Sequence, residues 1–495
     1  MSRPPAVLPV LDDLPGAHIR FEDMTADAHI PLPTRVHAFG DDALGDHDAV
    51  ALATLVRDGA VSPRELAAAA VARAERVEQL AAVAYRSYVQ PLLPAEPTGA
   101  FYGVPSFVKD NTDVAGMPTN QGTAAFRARP ARAHSGYTRQ FLSTGLTVLG
   151  KSAMPEFGFN ASSETPHLAP TRNPWHTGHS VGGSSGGAAA LVAAGVVPIA
   201  HGNDGGGSIR IPAACAGLVG LKPTRGRHVV SGLARTLPVD IVSEGVLTRT
   251  VRDTAAYTAA AERYWRNPAL QPIGRVDGPP TRRMRVALVL DNLAGPLAAG
   301  PTRAAVESVA RTLESSGHSV EPVPLPFGAT IESAFLHYWG LLAAAITSTG
   351  RFLDRRFDAR RVDDLTAGLR SLFLRRALHA PLTLYRLRAA AATYEKALGP
   401  YDAVLLPTLG HTTPELGYLS PTVPFDELIE RLRAYVCFTP INNITGTPAI
   451  TVPAGLSDTG LPVGVQFATT RGNERTLLEL AYLIEAERPF PRLDR

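Results

Sequence analysis

The chain has 495 residues, 45% of them hydrophobic and 19% charged, with 48 Lys+Arg against 45 Asp+Glu. That is the balance of a soluble globular protein with ample length for a core, and a net charge of +3 excludes a strongly basic nucleic-acid binder. No apolar run approaches the roughly 18 residues of a membrane span, and two distant cysteines, Cys215 and Cys437, exclude a disulfide framework and suit a reducing cytoplasm.

The opening MSRPPAVLPVLDDLPG, apolar but broken by proline and followed by two aspartates, makes a poor signal peptide. Residues 1–46 read as an extended arm packed on the body, and 47–495 as one large domain. DAVALATLVRDGAVSPRELAAAAVARAERVEQL then spaces its apolar residues by three or four, a helical pair broken at Asp58-Gly59. Ser62-Pro63-Arg64-Glu65 predicts the second helix start: Ser62 caps, Pro63 fills the first turn, and Glu65 closes a capping box. GVPSFVKDN and LTVLGKS read as short buried strands ending in polar loops. Further on, MRVALVL (284–290), a helix over 301–316 and HSVEPVPL form a βαβ-like unit, followed by a helical region over 331–398. DAVLLPT (402–408), PAITVPA and VGVQFAT read as late strands, and NERTLLELAYLIEAE as a last amphipathic helix. Strands alternate with helices and no low-complexity linker intervenes. The expectation is one α/β domain, a mixed central sheet covered by helices in an α/β/α arrangement.

Two serine signals compete. Gly178-His179-Ser180-Val181-Gly182 matches the GxSxG elbow, which would make Ser180 a nucleophile. That chemistry needs a strand running into the serine and a helix leaving it. Here a proline-containing loop precedes and GGSSGG follows, so Ser180 reads as a surface-loop serine. The second signal is GGSSGGAAALVAAGVVPIAHGNDGGGSIRIPAACAGLVGLKPTRGR. A linker would not be followed by so apolar a stretch, and no Gly-Lys-Ser/Thr triplet follows these glycines at the spacing of a phosphate loop. Two glycine-rich turns separated by a small-residue helix can approach each other, bringing the serines of one beside Ser208.

GGSSGG (182–187), DGGGSIRIP (204–212) and GLKPTRG (220–226) resemble the amidase signature family. GVPSFVKDNTDVAGMPTNQGT, GKSAMPEFG, VRDTA and PINNITGTPAITVPAGLSDTGLPVGVQ extend the resemblance over about residues 50 to 487. It implies an acyl-enzyme amidase with Ser208 as nucleophile, Ser184 as a bridging serine after a cis peptide bond, and Lys109 as base. Ser185 then becomes a structural hydrogen-bonder. Taken alone, Lys109 could equally pair with Asp110 or Asp113. The resemblance selects the base, which requires burial to depress the amine from its usual value of about 10.4.

Gly205, Gly206 and Gly207 leave main-chain amides bare for an oxyanion, with the Ser208 amide as a further donor. Most relatives carry a larger residue at Gly205. Asp204 and Arg210 read as an ion pair or hydrogen-bond clamp holding this turn, and Cys215 as core. No HExxH pair and no zinc-spaced cluster is present, so no metal and no cofactor are expected. The Arg-rich stretch from Arg351 to Arg388, interleaved with Asp354, Asp358, Asp363 and Asp364, reads as a solvated helical face. The expected partners are a small-molecule amide and water, with no nucleic acid and no membrane, in a chain compatible with a homodimer. The substrate is a small, cyclic or aryl amide. Two segments, GDHDAVALATLVRDGAV and VLTRTVRDTA, look closest to the bacterial branch holding nylon-oligomer hydrolases. A carbamate or ester is the alternative on the same residues. A subunit of glutamine-dependent tRNA amidotransferase is the alternative of another class.

Overall fold

The computed structural model describes residues 34–94, 96–230, 237–293, 295–296, 300–352 and 354–494. The apolar stretches become two sheets. In the smaller one, β1 (Val83–Arg86) pairs antiparallel with β3 (Thr147–Ser152), and β2 (Pro105–Lys109) runs parallel to β3 on its other side. The larger sheet takes β4 (Ile199–Asp204), β5 (Val219–Lys222), β6 (Ser243–Thr248), β7 (Arg285–Leu288), β8 (Ser319–Pro322), β9 (Ala403–Pro407), β10 (Ala449–Leu456) and β11 (Pro462–Ala468). Their spatial order is β8-β7-β9-β11-β10-β5-β6-β4. The β8–β7 and β7–β9 pairs are parallel and the remaining pairs antiparallel, a mixed sheet. Every residue of β4, β5, β9 and β11 is buried, because helices cover both faces.

The helix starts follow local chemistry. In α1 (Ala49–Arg57) the Asp48 side chain accepts the Ala51 amide, and the buried Asp253 carboxylate of VRDTA accepts those of Ala49 (2.8 Å) and Val50 (2.9 Å). A distant acid thus satisfies amides that the helix cannot bond internally. The capping box of α2 (Pro63–Arg76) forms as expected, with Ser62 Oγ accepting from Glu65 N–H and the Glu65 carboxylate from Ser62 N–H. α3 (Gly186–Ala193) is buried along its whole length. Full burial of Leu191 and Val192 contributes roughly 1.5–3 kcal/mol each. Its backbone approaches β3 so closely that a Cβ on Gly187 would sit 2.3 Å from the Ala153 nitrogen. A short α4 (Arg210–Ala216) follows β4.

The βαβ-like unit comprises β7, α5 (Pro301–Ser315) and β8. The helical region divides into α6 (Ala329–Thr349), α7 (Asp364–Arg375) and α8 (Ala380–Leu398), joined by short 3-10 turns rather than continuous. Arg370, Arg375, Arg376 and Arg388 are exposed here, as a solvated face requires. Asp363 departs from that expectation: it is buried and caps α7 through the Thr366 amide. After β9, the short α9 (Pro440–Thr445) precedes β10. The last helix, α10 (Glu474–Glu487), buries Leu477, Leu478, Ala481 and Ile484 in one cluster with Ile450 of β10 and Phe467 of β11.

The expected arm lies outside the described residues up to position 33. Residues 34–46 run against the body, with Val36 N–H donating to Pro174 O and Ala38 N–H to Ala194 O. Among the described residues no helix is long and apolar enough to cross a membrane.

Candidate active site

β2 is a run of five buried residues, PSFVK, and Ser106 Oγ donates to the Ile199 carbonyl at 2.8 Å, laying β2 against β4. That contact carries Lys109, at the end of β2, to the end of β4 and to the loop that opens α3. The Gly183–Ser184 bond in that loop is cis. Lys109 Nζ lies 2.8 Å from Ser184 Oγ, 3.0 Å from Ser185 Oγ and 2.8 Å from Asn203 Oδ1. Ser185 N–H donates to the Ser208 carbonyl (3.2 Å), which ties the two glycine-rich turns together. Ser208 is half-buried, and its hydroxyl carries no hydrogen bond among the described residues.

The ion-pair alternative for Lys109 is not formed. Asp110 instead faces Lys151 at 3.7 Å. Complete burial pushes the Lys109 amine down to about 7, against the upward pull of the Glu244 and Asp204 carboxylates. Near pH 7 a substantial fraction of this amine is therefore neutral.

The turn after β4 is held by Asp204 and Arg210, both fully buried, with Arg210 Nε donating to Asp204 Oδ2 at 2.9 Å. Burial would raise the Asp204 carboxyl, but the Arg210 guanidinium overrides it and holds the group well below the usual carboxylate range. Asp204 also accepts the Gly207 amide at 2.7 Å and the Ile209 amide at 3.2 Å. Gly207 N–H is therefore already taken, which corrects the expectation that all three glycine amides face a substrate. Those of Gly205, Gly206 and Ser208 have no acceptor among the described residues.

The three glycines differ in another respect. Gly207 has φ +137°, and a Cβ there would meet Thr439 Oγ1 at 2.4 Å and Ile211 Cδ1 at 2.6 Å. At Gly205 a Cβ would meet only Val242 Cγ2, at an ordinary 3.6 Å. We expect Gly207→Ala to cost about 2 kcal/mol or more in a denaturant melt, while Gly205→Ala melts close to the wild type.

Ser180 ends the strand His176–Ser180 and is buried, so it is not a surface-loop serine. Its hydroxyl contacts Ser162 Oγ at 2.7 Å and accepts the Gly182 amide at 3.0 Å. No helix leaves it directly, and the elbow geometry is absent. Cys215 is buried, with its sulfur 3.1 Å from the Tyr435 hydroxyl. Among the described residues no cluster of three or more His, Cys, Asp or Glu could hold a metal ion.

Several residues of this site escaped the sequence reading. Asn203 receives the Lys109 amine. Thr439 Oγ1 donates to the Gly206 carbonyl at 2.6 Å, and Asn443 Nδ2 donates to the Asp204 carbonyl at 2.8 Å. Arg210 also donates to Asn443 Oδ1 (2.7 Å) and Gln466 Oε1 (2.8 Å). The available signal was polarity out of place: Asn203 inside a buried strand, and Asn442-Asn443 inside an apolar segment.

A layered α/β/α body thus brings two serine-bearing turns together over a buried amine. The family model described as Amidase matches residues 51–478, so the chain belongs to the amidase signature family and is a hydrolase of carbon–nitrogen bonds other than peptide bonds. It is similar to AmiC of Mycobacterium tuberculosis, 49% identical over 93% of this chain and 98% of that protein. It is also similar to a 6-aminohexanoate-cyclic-dimer hydrolase of Paenarthrobacter ureafaciens, 32% identical over 90% of this chain and 95% of that one. A solved structure of 6-aminohexanoate cyclic dimer hydrolase complexed with substrate aligns with TM-score 0.81 at 29% identity, covering 92% of this chain and 98% of the other.

Proposed function

We propose that the protein hydrolyses a small carboxamide through an acyl-enzyme on Ser208, with Ser184 relaying protons to and from Lys109. The observation that carries this reading is a buried lysine amine 2.8 Å from Ser184 Oγ with no carboxylate bonded to it. A neutral amine has two hydrogens and one lone pair. Asn203 Oδ1 and Ser185 Oγ take the hydrogens, which leaves the lone pair for the Ser184 hydroxyl proton.

Once the Ser208 hydroxyl turns onto Ser184, its proton passes to Ser184 as the Ser184 proton passes to Lys109. Ser208 Oγ then bonds to the amide carbon, and negative charge gathers on the carbonyl oxygen, where the Gly205, Gly206 and Ser208 amides supply donors. Collapse of this intermediate breaks the C–N bond, and the proton held on Lys109 returns through Ser184 to the departing amine. A water molecule repeats the sequence on the ester, giving the carboxylic acid and restoring Ser208. No cofactor enters the balance, and the compartment we infer is the cytoplasm.

The substrate we infer is a small, cyclic or aryl amide. Two observations support it: the named chemistry of the cyclic-dimer hydrolases, and the aromatic pair beside the turn. The Phe335 ring stands 3.2 Å from where a Gly206 Cβ would lie, with Trp339 stacked beyond it at 6.3 Å between ring centres. The test is release of amine from aliphatic, aryl and cyclic amides, carbamates and glutamine, with and without hydroxylamine. An acyl-enzyme partitions to the hydroxylamine, so the expected products are a hydroxamate and free amine from the apolar amides. Turnover of glutamine alone, or amine release with no hydroxamate from any substrate, would count against the reading.

A further inference from the structure

Behind Lys109 lies a second pair of buried groups that the hydrolytic steps do not use. The Lys109 backbone N–H donates to His201 Nδ1 at 3.1 Å, and His201 Nε2 lies 3.0 Å from Glu244 Oε2. Because Nδ1 accepts, the ring proton sits on Nε2 and is donated to Glu244. Burial keeps this imidazole below its ordinary value and so neutral, against the pull of the Glu244 carboxylate. His201 is on β4, Glu244 is on β6 opposite Asn203, and Asn203 itself receives the Lys109 amine. One cross-strand unit therefore grips the catalytic lysine at both ends, through its amide and through its amine.

We propose that Glu244, acting through His201, is a positioning residue for Lys109: it fixes the imidazole tautomer that anchors the lysine backbone and sets the charge against which the amine is protonated. The inference rests on the assignment of Lys109 as the base. The groups facing Lys109 are few enough to name. Ser184, Ser185 and Asn203 are uncharged. Asp204 is committed to Arg210 and faces Lys222, Lys151 on β3 faces Asp110, and the Tyr137 and Tyr257 hydroxyls near Glu244 are held neutral by burial. Among the described residues Glu244 is thus the carboxylate near Lys109 without a cationic partner, since its bonded neighbour His201 is neutral. Its side chain, 10% exposed, lines a small hollow with Ser243 and His228, whose two ring nitrogens have no hydrogen-bond partner among the described residues.

Glu244→Gln keeps an oxygen for the His201 proton and removes the charge. A carboxylate favours the ammonium form, so its loss leaves Lys109 neutral down to lower pH. The acid limb of kcat/KM against pH should move downward, and kcat/KM below the wild-type limb should rise at least about threefold relative to its plateau. A purely structural role would lower the plateau and leave the limb in place, and that result would overturn the proposal. Should Glu244→Gln not purify folded, Glu244→Ala reads the same quantity. It also removes the charge beside Lys109, so the limb should again move down, and an unmoved limb counts against the proposal. Lys109→Met separates the two levels of inference. Activity in Lys109→Met defeats the base assignment, whereas an inactive Lys109→Met with an unmoved Glu244→Gln limb defeats only the role given to Glu244.

Discussion

Lys109→Arg should lose about a thousandfold or more in kcat despite keeping a cation at the end of β2. Arginine does not give up its proton, so it cannot accept one from the serine relay. On the proposed mechanism the working form in the wild type is the neutral amine. Burial holds Lys109 down to about 7, so activity is present above that value and fades as pH falls through it. The acid limb of kcat/KM should therefore lie near neutrality and vanish in the variants. Because a buried guanidinium can disturb the core, Lys109→Met, neutral and of similar length, is the companion variant. We expect it to melt as a folded protein and to be equally inactive. Substantial turnover by the arginine variant would show that a positive charge suffices, and the base role would have to be given up.

Ser208→Ala should cost at least about ten-thousandfold in kcat, since it removes the atom proposed to carry the acyl group. Ser180→Ala should stay within a few-fold of the wild type. Ser180 is the residue that the short GxSxG match would nominate, and its hydroxyl instead accepts the Gly182 amide deep in the protein. Losing that acceptor costs about 1 kcal/mol of stability rather than catalysis. The pair is best read by active-site titration with a serine-directed phosphonate, where intact-mass addition should occur in Ser180→Ala and not in Ser208→Ala. The reverse pattern would restore the elbow reading.

What could be read from the sequence was whatever local chemistry decides. The Ser62–Glu65 capping box, the buried strand ending at Lys109 and the small-residue α3 each follow from a handful of adjacent residues, and the structure forms all three. The Asp204–Arg210 pair was equally legible, being six residues apart. Ser180 was harder, because burial depends on what folds over a strand: the Pro414 carbonyl that receives the Ser180 amide is more than 200 residues away. The Gly207 amide is harder to place: a carboxylate has lone pairs for a guanidinium and an amide together, and the sequence does not say which of the three glycine amides turns back onto Asp204. Asn203, Asn443 and Thr439 stayed hidden for a simpler reason. Their partners are set by which strands lie side by side, and no spacing along the chain records that.

The clasp around the nucleophile turn also bears on when the protein acquires its chemistry. Thr439 and Asn443 hold the Gly206 and Asp204 carbonyls, and Gln466 takes the far side of Arg210, from positions 233 to 256 residues downstream. A ribosome that has just released Ser208 has thus made the proposed nucleophile but not the parts that hold its turn in place. On the proposed mechanism the nascent chain stays catalytically silent until residues 439 to 466 have emerged. A product truncated before Thr439 would carry the serines and the lysine without the side chains that hold the turn.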